Sequence, residues 1–159
     1  MVYIVMGVSG CGKSTVGENL AKSLGLPFYD GDAYHPKANI DKMASGQPLN
    51  DEDRQPWLVE LALHAKKWNA EGGAVLACSA LKEKYRQTLS AFGEVKFVYL
   101  KGSRELILKR MREREHFMKP EMLDSQFATL EEPKDAIELN ISDSPDEMVK
   151  KFKEVSNVY

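Results

Sequence analysis

The chain has little of what marks several classes of protein. It holds only two cysteines in 159 residues and a formal net charge of -2, which argues against a disulfide-stapled fold and against a nucleic-acid partner. No apolar run approaches the roughly 20 residues that span a membrane, and no repeat or Pro/Gly/Ser-rich linker divides the sequence. An apolar run that begins at Val2 leaves no room for a targeting peptide. We therefore expect one domain over 1–159, cytoplasmic and without a membrane partner.

The strongest motif lies at residues 7–14, between that apolar run and a helical pattern. Its spacing, G-x-x-x-x-G-K-S, is typical of a phosphate-binding loop when a strand precedes it and a helix follows. Glycines let successive N–H groups face one phosphate, and the helix N-terminus favours an anion. We predict that this loop binds ATP, with Lys13 on the phosphates and Ser14 on Mg²⁺. The predicted nucleotide-binding residues are Gly7, Val8, Ser9, Gly10, Cys11, Gly12, Lys13, Ser14 and Thr15.

Short apolar runs alternate with helical patterns along the whole chain. The runs are predicted to be five strands, at 2–6, 27–29, 74–78, 95–100 and 136–141. This alternation predicts an α/β fold with a parallel sheet covered on both faces. Ligands of such folds lie at the carboxyl ends of the strands, so the segments 7–14, 30–32, 79–82 and 101–102 should converge on one crevice. We also predict that residues 79–82 lead from the third strand into another helix, which runs through Phe92.

Two carboxylates follow the second predicted strand, at Asp30 and Asp32. On an extended segment they would point the same way, Asp30 toward a metal and Asp32 toward an acceptor hydroxyl. An aspartate that orients a hydroxyl and takes its proton suits phosphoryl transfer to an alcohol. The alternative is an ordinary polar turn. The strand at 74–78 ends in Ser79 and not in an aspartate, which argues against a switch GTPase.

A cluster of cations occupies residues 104–119. Arg110 and Arg114 are four residues apart, so on a helix they share a face and can both reach phosphate oxygens. The helical pattern breaks at 116–120, which favours a mobile lid over ATP at about 110–122. The alternative is a solvated charged helix, because glutamates are interleaved with the arginines.

Further short motifs follow the phosphate loop at nearly constant spacing as far as residue 133. They are Phe28-Tyr29-Asp30-Gly31-Asp32, His35-Pro36, Asn39, Lys42-Met43, Pro48-Leu49-Asn50-Asp51, Asp53-Arg54, Pro56-Trp57-Leu58, Cys78-Ser79-Ala80-Leu81-Lys82, Tyr85-Arg86 and Ser125-Gln126-Phe127. With these motifs the chain resembles the gluconate kinase family. The resemblance implies transfer of the ATP γ-phosphate to the 6-hydroxyl of D-gluconate. It also implies the P-loop fold of nucleoside monophosphate and shikimate kinases, a five-stranded parallel core, a mobile lid and a homodimer.

The resemblance also implies roles for particular residues. The substrate-binding segment would be about 32–58, and the residues on gluconate would be Asp32, His35, Arg54, Lys82, Arg86 and Gln126. Lys13, Asp32, Arg110 and Arg114 would be catalytic. Adenine would rest between the lid helix and the turn 142–145.

Four of the residues assigned to gluconate also have a purely structural explanation. Arg54 could pair with Asp51 or Asp53, Lys82 and Arg86 could face solvent, and His35 could cap a helix. A kinase for shikimate or a nucleoside monophosphate is an alternative enzyme, and a nucleotide-binding switch is an alternative outside catalysis.

The thiol of Cys11, beside Lys13, could have a lowered pKa and be oxidisable; the alternative is that Cys11 is a passive small residue.

Overall fold

The computed structural model describes residues 1–113 and 120–156. Five strands form one sheet: β1 Val2–Met6, β2 Phe28–Asp30, β3 Ala74–Ala77, β4 Val95–Lys101 and β5 Ile137–Asn140. Every neighbouring pair is parallel, and the order across the sheet is β2-β3-β1-β4-β5. The five-stranded parallel sheet expected from the sequence is therefore confirmed.

In the described part of the chain, seven α-helices and one 3-10 helix connect and cover the strands. The α-helices are α1 Lys13–Leu24, α2 Lys37–Ala44, α3 Asp51–Ala70, α4 Glu83–Leu89, α5 Arg104–Glu113, α6 Pro120–Thr129 and α7 Pro145–Ser156, and the 3-10 helix is Gly31–Tyr34. Asn50 begins α3 with a capping box, in which its side chain accepts from the Asp53 backbone and the Asp53 side chain accepts from the Asn50 backbone. None of the helices within the described residues combines the length and apolarity that crossing a bilayer requires.

Each face of the sheet carries its own core. One face packs α1, α5 and α7 through residues such as Leu20, Ile107 and Phe152. The other packs α3 and α4, and it buries Trp57, Leu61, Trp68, Tyr85 and Leu89. The apolar residues Trp57, Leu58, Leu61, Ala62, Ala65 and Trp68 of α3 are all buried. These side chains therefore belong to the core.

One loop has an unusual conformation, and one local prediction is wrong. Residues 79–82 join β3 to α4, which begins at Glu83, and Ala80 in this loop has a φ of +46°. A residue with a side chain adopts that left-handed conformation at a cost of roughly 1–2 kcal/mol, so the surrounding contacts must hold it. The wrong prediction is the extended segment at Asp30 and Asp32, because the chain turns at Gly31 into the 3-10 helix. Both segments follow strand ends, where packing between elements sets the backbone.

Candidate active site

The phosphate-binding loop lies at the carboxyl end of β1 and leads into α1. Gly12 has a φ of +94° at the start of that helix, a conformation that glycine adopts without strain. A side chain at Gly10 would come within 2.7 Å of Met111, so α5 packs directly on the loop. Lys13 Nζ donates to the carbonyl oxygens of Gly7 and Val8 at 3.1 Å each. The loop thus offers a helix N-terminus and a lysine on one side, which suits a phosphate chain.

Helix α6 holds the loop from another direction through Gln126. The Oε1 of Gln126 accepts from the Ser9 backbone N–H at 2.6 Å, and its Nε2 donates to the Ser9 hydroxyl at 2.9 Å. The sequence argument assigned Gln126 to the substrate. That role stays a prediction, whereas the structure gives its amide a definite partner in the phosphate loop.

Cys11 does not have the environment of a reactive thiol. Only 2% of the residue is exposed, and burial raises the pKa of its thiol more than the nearby Lys13 lowers it. A thiol with a raised pKa holds little thiolate at neutral pH and is therefore unreactive. The suggestion of a lowered pKa at Cys11 is wrong, because the side chain packs inside the loop.

The two aspartates at the end of β2 have different structural roles. Asp30 accepts a hydrogen bond at 3.0 Å from the backbone N–H of Asp32 and so caps the 3-10 helix. The Asp32 side chain is 86% exposed, and it extends from the carboxyl end of the sheet. Ser14, the other residue predicted to hold Mg²⁺, is also exposed at the start of α1.

His35 lies against helix α3 and beside Asp32. Its ring stacks on Trp57 with the centroids 4.1 Å apart and the planes at 17°. Its Nε2 is 3.9 Å from Asp32 Oδ1, and its Nδ1 is 3.2 Å from Asn39 Nδ2. Burial lowers the pKa of His35 most, Arg54 lowers it further and Asp32 opposes both. The imidazole is thereby favoured in its neutral form.

Arg54 and Lys82 meet at a group of residues that we call the Asp51 cluster: Asp51, Arg54, Lys82, Lys84 and Tyr85. Lys82 Nζ donates to Asp51 Oδ1 at 3.3 Å, and Lys84 and the Tyr85 hydroxyl also donate to this carboxylate. Arg54 Nη1 donates to the Tyr85 hydroxyl at 3.1 Å. The bonds from Lys84 and Tyr85 hold the pKa of Asp51 well below its usual range. The cluster therefore contains three cations around one carboxylate, a balance that leaves it attractive to a further anion.

Arg86 is close in sequence to this cluster but has a different environment. It is buried, with 4% of the residue exposed. Its Nη1 donates to the carbonyl of Ala80 and its Nη2 to that of Glu131, both at 2.7 Å, and its Nε donates to Glu83. All three nitrogens thus bond to protein oxygens, so the structure favours a role in holding the loop 79–82 over the predicted contact with substrate.

The predicted lid is only partly described. Arg110 lies on α5, one residue before the buried Met111 that contacts the phosphate loop. Arg114 lies in the part of the segment 110–122, residues 114–119, that is outside the described residues. The roles of both arginines stay predictions.

A cavity of about 420 Å³ opens beside the predicted adenine position. It is lined where β4 leads into α5 and at the end of β5, by Lys101, Gly102, Ser103, Leu106, Asn140 and Ser142. Ser142 also begins the turn 142–145 that was expected to contact adenine. The cavity is therefore compatible with that expectation.

Sequence reasoning did not assign roles to three residues of this crevice. Tyr85 links Arg54 to Asp51, Lys84 adds a third cation, and Asn39 contacts His35. The four-residue spacing of His35 and Asn39 at the start of a helix was an available signal. No comparable signal existed for Tyr85, since its partners are 31 and 34 residues away.

Comparison with known proteins agrees with this geometry. The family model for shikimate kinase matches residues 9–155. A probable gluconokinase of Xenopus tropicalis is 47% identical, with 84% of this chain and 80% of that protein covered. The thermoresistant gluconokinase of Escherichia coli (strain K12) is also 47% identical, with 83% and 77% covered.

Similarity extends to a solved structure. The crystal structure of a gluconokinase from Sinorhizobium meliloti 1021 superposes with a TM-score of 0.87 at 40% identity, covering 99% of this chain and 95% of that one. The family model describes the broader fold, while these relatives match in sequence over most of their length. The chain therefore belongs to the gluconokinase family, a group of ATP-dependent kinases within the shikimate kinase-like P-loop fold.

Proposed function

We propose that this protein transfers the γ-phosphate of ATP to the 6-hydroxyl of D-gluconate, giving 6-phosphogluconate and ADP. The observation that carries the proposal is the Asp51 cluster, where Arg54, Lys82 and Lys84 outnumber a single carboxylate. A sugar acid offers one carboxylate and several hydroxyls, which suit cations and a tyrosine hydroxyl better than an apolar pocket would. The names of the similar proteins support the same substrate.

In the proposed reaction, ATP and the acceptor hydroxyl lie on the two sides of the crevice. The acceptor oxygen forms a bond to the γ-phosphorus while the bond from that phosphorus to the β–γ bridging oxygen breaks, and ADP leaves. Asp32 orients the hydroxyl and accepts its proton, which then passes to water. Lys13 and the loop amides balance charge on the phosphates, and Arg110 and Arg114 complete this balance on the transferring group.

We also propose that the Ser14 hydroxyl and the Asp30 carboxylate bind Mg²⁺. Both residues are exposed, Ser14 at the start of α1 and Asp30 at the carboxyl end of β2, and oxygen donors are what Mg²⁺ prefers. When bound, the ion neutralises charge on the β- and γ-phosphates. We further propose that adenine occupies the cavity next to Ser103 and Asn140, and that the protein works as a cytoplasmic homodimer.

The first experiment measures ADP release from Mg-ATP with D-gluconate, shikimate, AMP or no acceptor. Wild type, Lys13→Ala and Asp32→Asn are compared. We expect release only with gluconate, its loss in Lys13→Ala, and a lower kcat with nearly unchanged KM for ATP in Asp32→Asn. Release without acceptor would indicate a switch or ATPase. Release with shikimate or AMP in place of gluconate would refute gluconate as the substrate. An unchanged kcat in Asp32→Asn would show that Asp32 takes no part in the chemistry.

A further inference from the structure

Asn39 is a buried polar residue with two partners. It lies in the first turn of α2 and is 4% exposed. Its Nδ2 donates to the backbone carbonyl of Asp53 at 2.9 Å. Because a carbonyl oxygen can only accept, the Asn39 atom that faces it must be the nitrogen. The orientation of the amide is therefore determined by the backbone of α3.

The same nitrogen determines the protonation of His35. Asn39 Nδ2 is 3.2 Å from His35 Nδ1. An amide nitrogen only donates, so the ring nitrogen that faces it must accept and cannot carry a proton. A neutral imidazole has one proton. The proton of His35 is therefore on Nε2.

The ring has little freedom to escape this arrangement. The His35 side chain is 6% exposed, and it stacks on Trp57, whose Nε1 donates to the Gly31 carbonyl at 2.8 Å. The fixed ring puts Nε2 3.9 Å from Asp32 Oδ1. The N–H group of the imidazole therefore faces the carboxylate that we propose as the base.

We propose that Asn39 is a positioning residue, which fixes His35 as the neutral Nε2–H tautomer so that this N–H orients Asp32 or the acceptor hydroxyl. A protonated ring would bring an Nδ1–H against the amide N–H of Asn39. The charged groups that face the ring are Asp32 from the 3-10 helix and Arg54 from α3. The tautomer stands on geometry alone, and only its catalytic consequence rests on the proposed function.

The test uses ¹⁵N-resolved spectra of the histidine rings in the full-length protein without substrate. The chain has three histidines, and His35→Gln assigns the signal of His35. We expect the neutral Nε2–H pattern at pH 7 and an apparent pKa below the usual value of about 6.5. A wild-type signal with the proton on Nδ1, or a charged ring at pH 7, would overturn the inference.

Asn39→Asp supplies the decisive variant, because a carboxylate accepts where the amide donates. We expect the His35 proton to move to Nδ1, the pKa of the ring to rise, and kcat to fall about tenfold, as for one lost hydrogen bond. The KM for ATP should change little. Asn39→Leu, which neither donates nor accepts, should leave a mixture of tautomers.

Asn69→Asp is the matched control. Asn69 Nδ2 also donates to a backbone carbonyl, that of Glu94, at 2.6 Å, so the control loses the same kind of bond at a site away from His35. We expect no change in the His35 spectrum or in kcat. An Asn39→Asp spectrum identical to wild type would overturn the inference. A wild-type Nε2–H signal supports it whichever acceptor the enzyme uses, so this result and the substrate assay can fail separately.

Discussion

Replacing Arg86 by methionine distinguishes a structural arginine from one that binds substrate. Methionine keeps most of the buried aliphatic stem and removes the guanidinium. The variant loses the 2.7 Å bonds to the carbonyls of Ala80 and Glu131. Leu81 and Glu131 are joined by a further backbone bond of 2.8 Å, so the lost groups lie where two segments meet.

The size of the effect follows from these bonds. A hydrogen bond to a charged group contributes about 1.5–3 kcal/mol, and the ion pair with the largely exposed Glu83 adds little. Two such bonds give an expected loss of about 3–5 kcal/mol in the free energy of unfolding, since the Glu131 carbonyl is only partly buried. At about 2–4 °C per kcal/mol for a domain of this size, the melting temperature should fall by roughly 10 °C.

Thermal unfolding followed by circular dichroism, without ligands, measures this loss. Arg104→Met is the matched control, because Arg104 pairs with Asp124 on the surface, and exposed ion pairs contribute little to stability. We expect a much smaller shift for the control. An Arg86→Met protein that melts like wild type but needs far more gluconate for half-maximal rate would refute the structural role and restore the predicted substrate contact.

Two further predictions concern the phosphate loop and the thiols. Ser9→Ala and Gln126→Leu should show a coupling energy of about 1 kcal/mol in a double-mutant cycle of chemical denaturation, because each removes the same bond to the Ser9 hydroxyl. Strictly additive losses of stability would contradict the contact between Gln126 and Ser9. Neither Cys11 nor Cys78 should react with a thiol reagent at pH 8 until denaturant is added, since burial raises both pKa values, that of Cys78 to about 12. Rapid labelling of the folded protein would show the burial to be wrong.

Local sequence was sufficient for the phosphate loop and for most of the elements. The spacing of Gly7, Gly12, Lys13 and Ser14 reflects contacts within eight residues, so the loop can be recognised without knowing the fold. Apolar periodicity likewise gave all five strands and the long helix α3, because burial on a sheet face imposes its pattern on neighbouring residues. The family resemblance then supplied the enzyme class.

The sequence could not distinguish the role of Arg86 from that of Lys82, because both are cations that lie four residues apart near the same strand end. One is buried among carbonyl groups and the other joins the Asp51 cluster. Likewise, Gln126 meets Ser9 across 117 residues. Segments 30–32 and 79–82 also have distant partners: Trp57 Nε1 donates to the Gly31 carbonyl, and the Glu131 N–H donates to the Leu81 carbonyl.

What the sequence determined by itself was therefore the chemistry available: a phosphate loop, paired aspartates, a set of cations and the family to which they belong. Tertiary structure alone decided which of these groups face the crevice and which are held inside. The physical reason is that the role of a polar group depends on whether another group of the protein already satisfies its hydrogen bonds. For Arg86, His35 and Gln126 those partners, or the groups that orient them, come from other elements of the fold.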